Sequence, residues 1–322
     1  MNKSKPFLLL VSSLTLLGCS QGGSNSSSIE APTGSEVGKE IVTTHYAKAI
    51  EAMNSTKAFG ANLVGNVGLA VNNTSTVASN GVTMDSSSST SLSVSDIDAG
   101  VAMSIGDDTK MSMKASANYS YNSNVSGAAV SSDSNVSGSG KASLAAYLSG
   151  STLYADLTGL SGLLTNVESS EVTSLKRKTT VKVTTVDWND YAKYLDDLAE
   201  QASKSEYLQV KEGTYSFVYT IDPSKFTIST TTDKVSSGTW NGEFKAWLSF
   251  TEEGFTEAGV SGSIKFENAY SFAQNDASYS YESKSKVEIS ANLKASFSYG
   301  SNVKVEEVTD PDSYVETNVT VD

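Results

Sequence analysis

"AFGANLVGNVGLAV", residues 58–71, is the stretch on which the fold turns. Phe59, Ala61, Leu63, Gly65, Val67, Leu69 and Val71 fall on odd positions, while Asn62, Asn66 and then Asn72 fall on even ones. A period of two belongs to a strand, whose successive side chains point to opposite faces. One face here belongs to a core and the other to water.

The alternation recurs downstream. Ile97, Ala99, Val101, Met103 and Ile105 alternate, then Met111, Met113, Ala115, Ala117, Tyr119 and Tyr121, with Gly106-Asp107-Asp108 as the turn between them. Leu144, Ala146 and Leu148 face Leu153, Ala155 and Leu157 across Ser149-Gly150-Ser151. Tyr215, Phe217, Tyr219 and Ile221 follow, then Trp240, Gly242, Phe244, Ala246, Leu248 and Phe250, and then Ala258, Val260, Gly262, Ile264 and Phe266. The last long run holds Val287, Ile289, Ala291, Leu293, Ala295, Phe297 and Tyr299, with Glu282, Lys284, Lys286, Glu288 and Lys294 between. Strands of about 11–13 residues span roughly 36–43 Å, and a sheet that long must curl, split or be covered. The polar stretches "DSSSST" (85–90) and the two copies of "SNVSG" (123–127 and 134–138) read as loops or as a floppy hairpin.

Two stretches change period to that of a helix. In residues 35–53, Val42, Tyr46, Ala49, Ile50 and Met53 share a face, with Ile41 and Val37 beside them; Ser35 is placed to cap and Glu36 lies in the first turn. In residues 187–202, Asp187 is placed to cap and Trp188, Tyr191, Leu195, Leu198 and Ala202 form the stripe, opposite Lys193, Asp196, Asp197 and Glu200. The expected fold is therefore mainly β (α+β): a long curved antiparallel sheet or half-barrel packed by an N-terminal helix and a second amphipathic helix. It forms a single domain over residues 35–322.

The N-terminus reads as an address. Lys3 and Lys5 precede an apolar run from Phe7 to Leu17, too short to span a bilayer stably, and small residues close it. The chain has one cysteine, Cys19, directly after that run. Leu16-Leu17-Gly18-Cys19 resembles the lipobox of bacterial lipoproteins, which implies diacylglyceryl transfer to the Cys19 sulfur and removal of residues 1–18. Two acyl chains suffice for lasting attachment where one does not. Residues 19–34 then read as the lipidated cysteine and a flexible Gly/Ser-rich tether with a reach of roughly 20 Å. The expected location is extracytoplasmic, at the cell membrane or the outer membrane.

Composition narrows the partners. The chain carries 23 basic and 36 acidic residues, a net charge of −13; loss of Lys3 and Lys5 leaves 21 against 36, or −15. Such a charge argues against nucleic acid and against lying flat on anionic lipid. A hydrophobic content of 38% is low for a tight globule, while 9% aromatic is too much for disorder. An antiparallel sheet with one wet face satisfies both.

Catalytic chemistry is hard to assemble from these residues. His45 is the only histidine and sits in the first helix, so the usual zinc sets and a Ser-His-Asp arrangement find no support, and no metal or cofactor is expected. Asp96-x-Asp98 and Asp107-Asp108 match no calcium loop and read as turn acids. "LKRK" (175–178) is the one basic cluster; it reads as a solvated loop or, alternatively, as a contact for lipid phosphates or cell-wall polymers. No enzyme is expected.

The order of helix, long strands, second helix and further strands resembles the curved-sheet lipoproteins and carriers of the LolA/LolB and LppX/LprG type. "ASLAAYLSGSTLYADLTG" (142–159), with Tyr147 and Tyr154 flanking its turn, is similar to a hairpin those proteins carry. The resemblance implies an apolar or amphipathic ligand, such as a lipid, held between sheet and helices. Trp188, Tyr191, Leu195, Trp240, Phe244 and Leu248 are the expected lining. The alternative is a structural or adhesive surface lipoprotein with no small ligand, which the Ser/Thr/Asn-rich faces suit.

Overall fold

The structure is a computed structural model that describes residues 29–106, 108–128, 133–163, 175–181, 199–200, 202–221, 223, 238–273 and 279–316. Strand makes up 71% of it. In chain order the elements are β1 (Ser35–Glu36), α1 (Lys39–Ser55), β2 (Ala58–Ser79), β3 (Val82–Ser104), β4 (Lys110–Gly127), β5 (Ser134–Ser149), β6 (Thr152–Asp156), a 3-10 turn (Thr158–Leu163), β7 (Lys176–Thr180), β8 (Ala202–Lys211), β9 (Thr214–Ile221), β10 (Thr239–Thr251), β11 (Gly254–Ala273), β12 (Tyr279–Tyr299) and β13 (Val315–Glu316). All strands join one curved, unclosed sheet in the order β1-β8-β9-β10-β11-β12-β2-β3-β4-β5-β6-β7-β13. Pairing is antiparallel except where β13 meets β7.

Two meanders, β8 to β12 and β2 to β7, are thus fused where β12 pairs with β2 from Tyr279↔Ser79 to Tyr299↔Phe59. The β2–β3 hairpin turns on Asn80-Gly81, both at positive φ (49° and 79°), as a tight hairpin turn matching the strand twist requires. Further along, β3 carries an extra residue: Gly65 pairs with Ile97 but Val67 with Val94. Asp96, at φ 49°, occupies this bulge and accepts a hydrogen bond from Asn118 Nδ2 at 2.7 Å. The bulge reverses the phase of β3, so Leu92 and Val94 share a face with Ile97, Ala99 and Val101.

α1 buries the expected stripe of Val42, Tyr46, Ala49, Ile50 and Met53. Alone, a helix of this length is marginal in water. It is held because the stripe packs on β8–β11, against Phe217, Ile221, Phe244, Phe250 and Val260. The Tyr46 ring stands edge-on to Phe217 and to Phe250, each at 5.3 Å. On the opposite face of the sheet, Leu208, Val218 and Trp247 form a smaller cluster covered by Ile29 and Ala31. The C-terminal segment crosses the same opposite face further along, where the Glu306 N–H donates to Ser112 Oγ at 3.1 Å and Tyr314 meets Tyr154 edge-on at 5.4 Å.

Several expectations need correction. α1 begins at Lys39 behind Gly38, with no side-chain cap, because Ser35 and Glu36 pair with Gln209 and Leu208 as edge strand β1. Ile41 is exposed. Ile29 and Ala31, within the stretch expected as a tether, pack against Leu208, Val218 and Trp247. Residues 85–90 lie inside β3 and not in a loop; the two "SNVSG" copies pair with each other in β4 and β5, Asn124 opposite Asn135, which is the hairpin alternative carried within long strands. These polar stretches need no apolar face because the ladder between neighbouring strands satisfies their backbone. "LKRK" leads into strand β7 rather than a loop. α1 is the one complete α-helix among the described residues. Most of the expected second helix lies outside them: residues 199–200 are helical, and Ala202 already begins β8.

Candidate functional site

Register assigns every strand residue to a face. Phe244, Ile264, Ile289, Leu69, Leu92 and Tyr121 fall on the face that bears α1, and Glu243, Lys265, Glu288, Asp98, Lys114 and Lys141 on the other. The division is nearly complete. Charged side chains of the described strands lie on the opposite face, where Asp96 also turns from its bulge to Asn118, with one departure: Arg177 in β7, which is in register with Ala155. A charge on the α1 face would be buried or would border buried apolar surface, where an unpaired ion is costly.

α1 covers β8–β11, and beyond it the apolar face continues into the open. Ile289, Leu69, Leu92 and Tyr121 lie side by side across β12, β2, β3 and β4. They are 37%, 39%, 44% and 40% exposed, unusually so for residues in register with a core. At the end of the row the Tyr121 and Tyr119 rings reach over β5, where Gly138 and Gly140 leave room; a Cβ at Gly138 would stand 2.6 Å from the Tyr121 ring. The aromatic rings thus shield backbone that the glycines leave bare.

Of the expected lining residues, Phe244 and Leu248 are buried in the cluster that includes α1. Trp240 packs against that cluster, its ring 4.8 Å from Phe266. Trp188, Tyr191, Leu195 and Cys19 lie outside the described residues. Leu92 and Val94 escape a simple alternation count because the bulge at Asp96 shifts the phase behind them. The signal for Arg177 is in "KRKT", where it alternates with Lys176 and Lys178.

Most of the remaining polar features are mutually engaged. His45 stacks on Tyr215 at 4.0 Å and its Nδ1 lies 2.8 Å from Glu252 Oε1. Hydrogen bonding from Lys48, then from His45, holds the Glu252 carboxyl below its ordinary pKa. A cavity of about 490 Å³ opens on the opposite face, lined by Asp98, Lys114, Ser116, Ser143, Asp156 and Glu306 among others. Lys114 is paired with Glu306. Burial alone would raise the pKa of Asp156, but the Thr158 hydroxyl (2.6 Å) and N–H (3.0 Å), with Lys176 at 3.7 Å, hold it below the usual range. Asp98 Oδ1 is buried without a partner among the described residues. No group of three or more metal-ligating side chains occurs among the described residues.

No protein-family profile matches the chain, and neither does any curated protein. Among solved structures, the InvG secretin domain β-barrel from the Salmonella SPI-1 injectisome NC-base aligns over 84% of this chain and 70% of its own. Identity is 9% and the TM-score 0.17, a likeness that carries no argument.

Proposed function

We propose that this chain is a lipid-anchored extracytoplasmic protein that holds an apolar or amphipathic ligand against the open part of its α1-bearing sheet face. The observation that carries the reading is the row Ile289–Leu69–Leu92–Tyr121, apolar and exposed on a face from which charge is almost absent. Burying such a row gains about 25 cal/mol for each Å² removed from water. The same reading keeps Trp188, Tyr191 and Leu195, which lie outside the described residues, as expected lining. The anchor belongs to it too. The flexible tether expected after Cys19, with its reach of roughly 20 Å, keeps the folded part beside its lipid source.

The test is native mass spectrometry and organic extraction of protein purified from its own host. Wild type should carry an apolar small molecule, and Leu92→Asp, at an exposed position, should lose it while melting normally. A wild-type protein that yields no such molecule would sink the reading. Anchoring is checked separately: Cys19→Ala should leave the membrane fraction.

A second reading has its own observation. Past the core, β2–β5 run on as a blade linked by side-chain hydrogen bonds between Ser75 and Ser86, Ser87 and Ser126, and Thr90 and Ser123. A structural or adhesive surface protein would use such a blade as a spacer. It would co-purify with no small molecule, and shortening the blade would abolish its attachment to a partner.

A further inference from the structure

We infer that the ligand's head group is anionic, a carboxylate or phosphate, and that Arg177 receives it. This rests on the ligand-binding reading above and adds the chemistry of the polar end. The neighbours of Arg177 in β7 point the other way. Lys176 pairs with Asp156 at 3.7 Å and sits 5.4 Å from the Tyr314 ring centroid, and Lys178 is in register with Tyr154, which meets Tyr314. Alternation therefore sends two cations of the cluster to the charged face and one to the apolar face.

There Arg177 is in register with Ala155 of β6, then Ala146 of β5 and Met113 of β4. Leu153 and Leu144 are on the same face nearby, and Arg177 itself is half-buried. No carboxylate shares that face in β4, β5, β6 or β13, and the Arg177 side chain has no ion-pair or hydrogen-bond partner among the described residues. A guanidinium half-withdrawn from water without an anion is unfavourable, and its planar fork matches carboxylate and phosphate geometry. Charge complementarity asks for an anion, and the surface around it asks for a hydrocarbon tail. β4 is three strands away, roughly 14 Å at the usual strand spacing, within reach of an extended acyl chain. One molecule meets both demands: a single-chain anionic amphiphile with its head on Arg177 and its tail across Ala155 and Ala146 toward Met113.

The experiment compares oleate, oleyl alcohol and inorganic phosphate on the full-length purified protein, its own lipid removed, by fluorescence displacement and calorimetry. Oleate should bind more tightly than oleyl alcohol. Arg177→Gln should weaken oleate by about tenfold or more and leave oleyl alcohol unchanged. Arg177→Lys, which keeps the charge but not the fork, should restore part of the loss, and its melting curve serves as the check on folding. Equal binding of oleate to wild type and Arg177→Gln would overturn the role of Arg177 while leaving the apolar site standing. Inorganic phosphate binding at Arg177 as tightly as oleate would make this a free-anion site and overturn the head-group assignment. Failure of both oleate and oleyl alcohol to bind would overturn this inference and the ligand-binding reading together.

Discussion

The two ends of this sheet are built from the same strands but held by different forces. Near α1, Phe244, Phe250, Val260, Leu63 and Leu293 are at most 1% exposed, and aromatic rings meet edge to face. At the other end the same strands carry Ser, Thr and Asn. There Ser285 Oγ donates to Asn73 Oδ1 at 2.7 Å, and Thr76 Oγ1 to Asp85 Oδ1 at 2.6 Å. The first end is stabilised by apolar area removed from water. The second is stabilised by the backbone ladder and by its continuity with the first. The row containing Leu69 and Leu92 lies where one regime gives way to the other, which is why it is apolar and still exposed.

The largest test of this contrast is a pair of truncations. Phe250 is fully buried between Tyr46 and Phe217, so Phe250→Ala should cost about 3–5 kcal/mol. Leu92→Ala, on an open surface, should cost about 1 kcal/mol or less. Urea midpoints at constant slope would measure both. Equal losses would mean that the far end is a core in its own right.

A second pair uses glycines. Gly65 has φ 142°, and a Cβ there would stand 1.9 Å from the Asn292 carbonyl oxygen of β12. Gly81 also has positive φ, in the β2–β3 turn, but nothing lies within 4 Å of its Cβ position. Gly65→Ala should therefore cost about 3 kcal/mol or more, strain plus displacement of a core strand, and Gly81→Ala about 1 kcal/mol. A Gly65→Ala variant no worse than Gly81→Ala would show that β2 and β12 can part at little cost.

The contrast also explains what the sequence reveals. Where burial dictates residue type, the pattern is plain: the five stripe residues of α1 and the alternation of β9 through β12 are where spacing puts them. Trp247 faces away from Phe244 as alternation requires. Where the ladder alone holds the strands, composition carries no period, and the polar run from Asp85 to Thr90 looks like a loop although it lies within a strand paired on both sides. Asn80-Gly81 forms the turn there, because it needs two residues at positive φ and few others supply them. The open row is half legible. Leu69 and Ile289 belong to clear alternations, but nothing in a periodicity says that α1 stops short of them. The facing of Arg177 follows from alternation alone, and the absence of a side-chain partner for it among the described residues does not.

A third test concerns the seam where the C-terminal segment crosses the opposite face. The pKa of Asp156 is lowered in the folded protein, so its stabilising contribution is complete above the ordinary carboxylate range and is lost as pH falls through the lowered value. Thr158→Val removes the 2.6 Å hydroxyl bond. It should move the Asp156 titration upward in carboxyl-carbon NMR and weaken the seam by about 1 kcal/mol or less above that range, because the site is partly exposed and screened. An unchanged titration would shift the cause to the Thr158 N–H and Lys176.

The smallest effect belongs to the far end. Ser75 and Ser86 lie opposite each other on β2 and β3, their hydroxyl oxygens 2.7 Å apart, part-buried on the α1-bearing face. Cross-strand pairs of this kind contribute about 0.2–1 kcal/mol relative to alanines. Replacing both by alanine deletes one hydroxyl–hydroxyl bond but leaves no buried group unsatisfied, since both partners go together. The global urea midpoint should therefore hardly move. Hydrogen exchange should be more revealing: amides of residues 72–79 and 82–90 should exchange faster in the double variant, while those of residues 59–65 and 291–297 keep wild-type protection. Far-end amides that already exchange only by global unfolding, in wild type and variant alike, would show that blade and core unfold as one unit. In that case the difference between the two ends would be one of chemistry and not of stability.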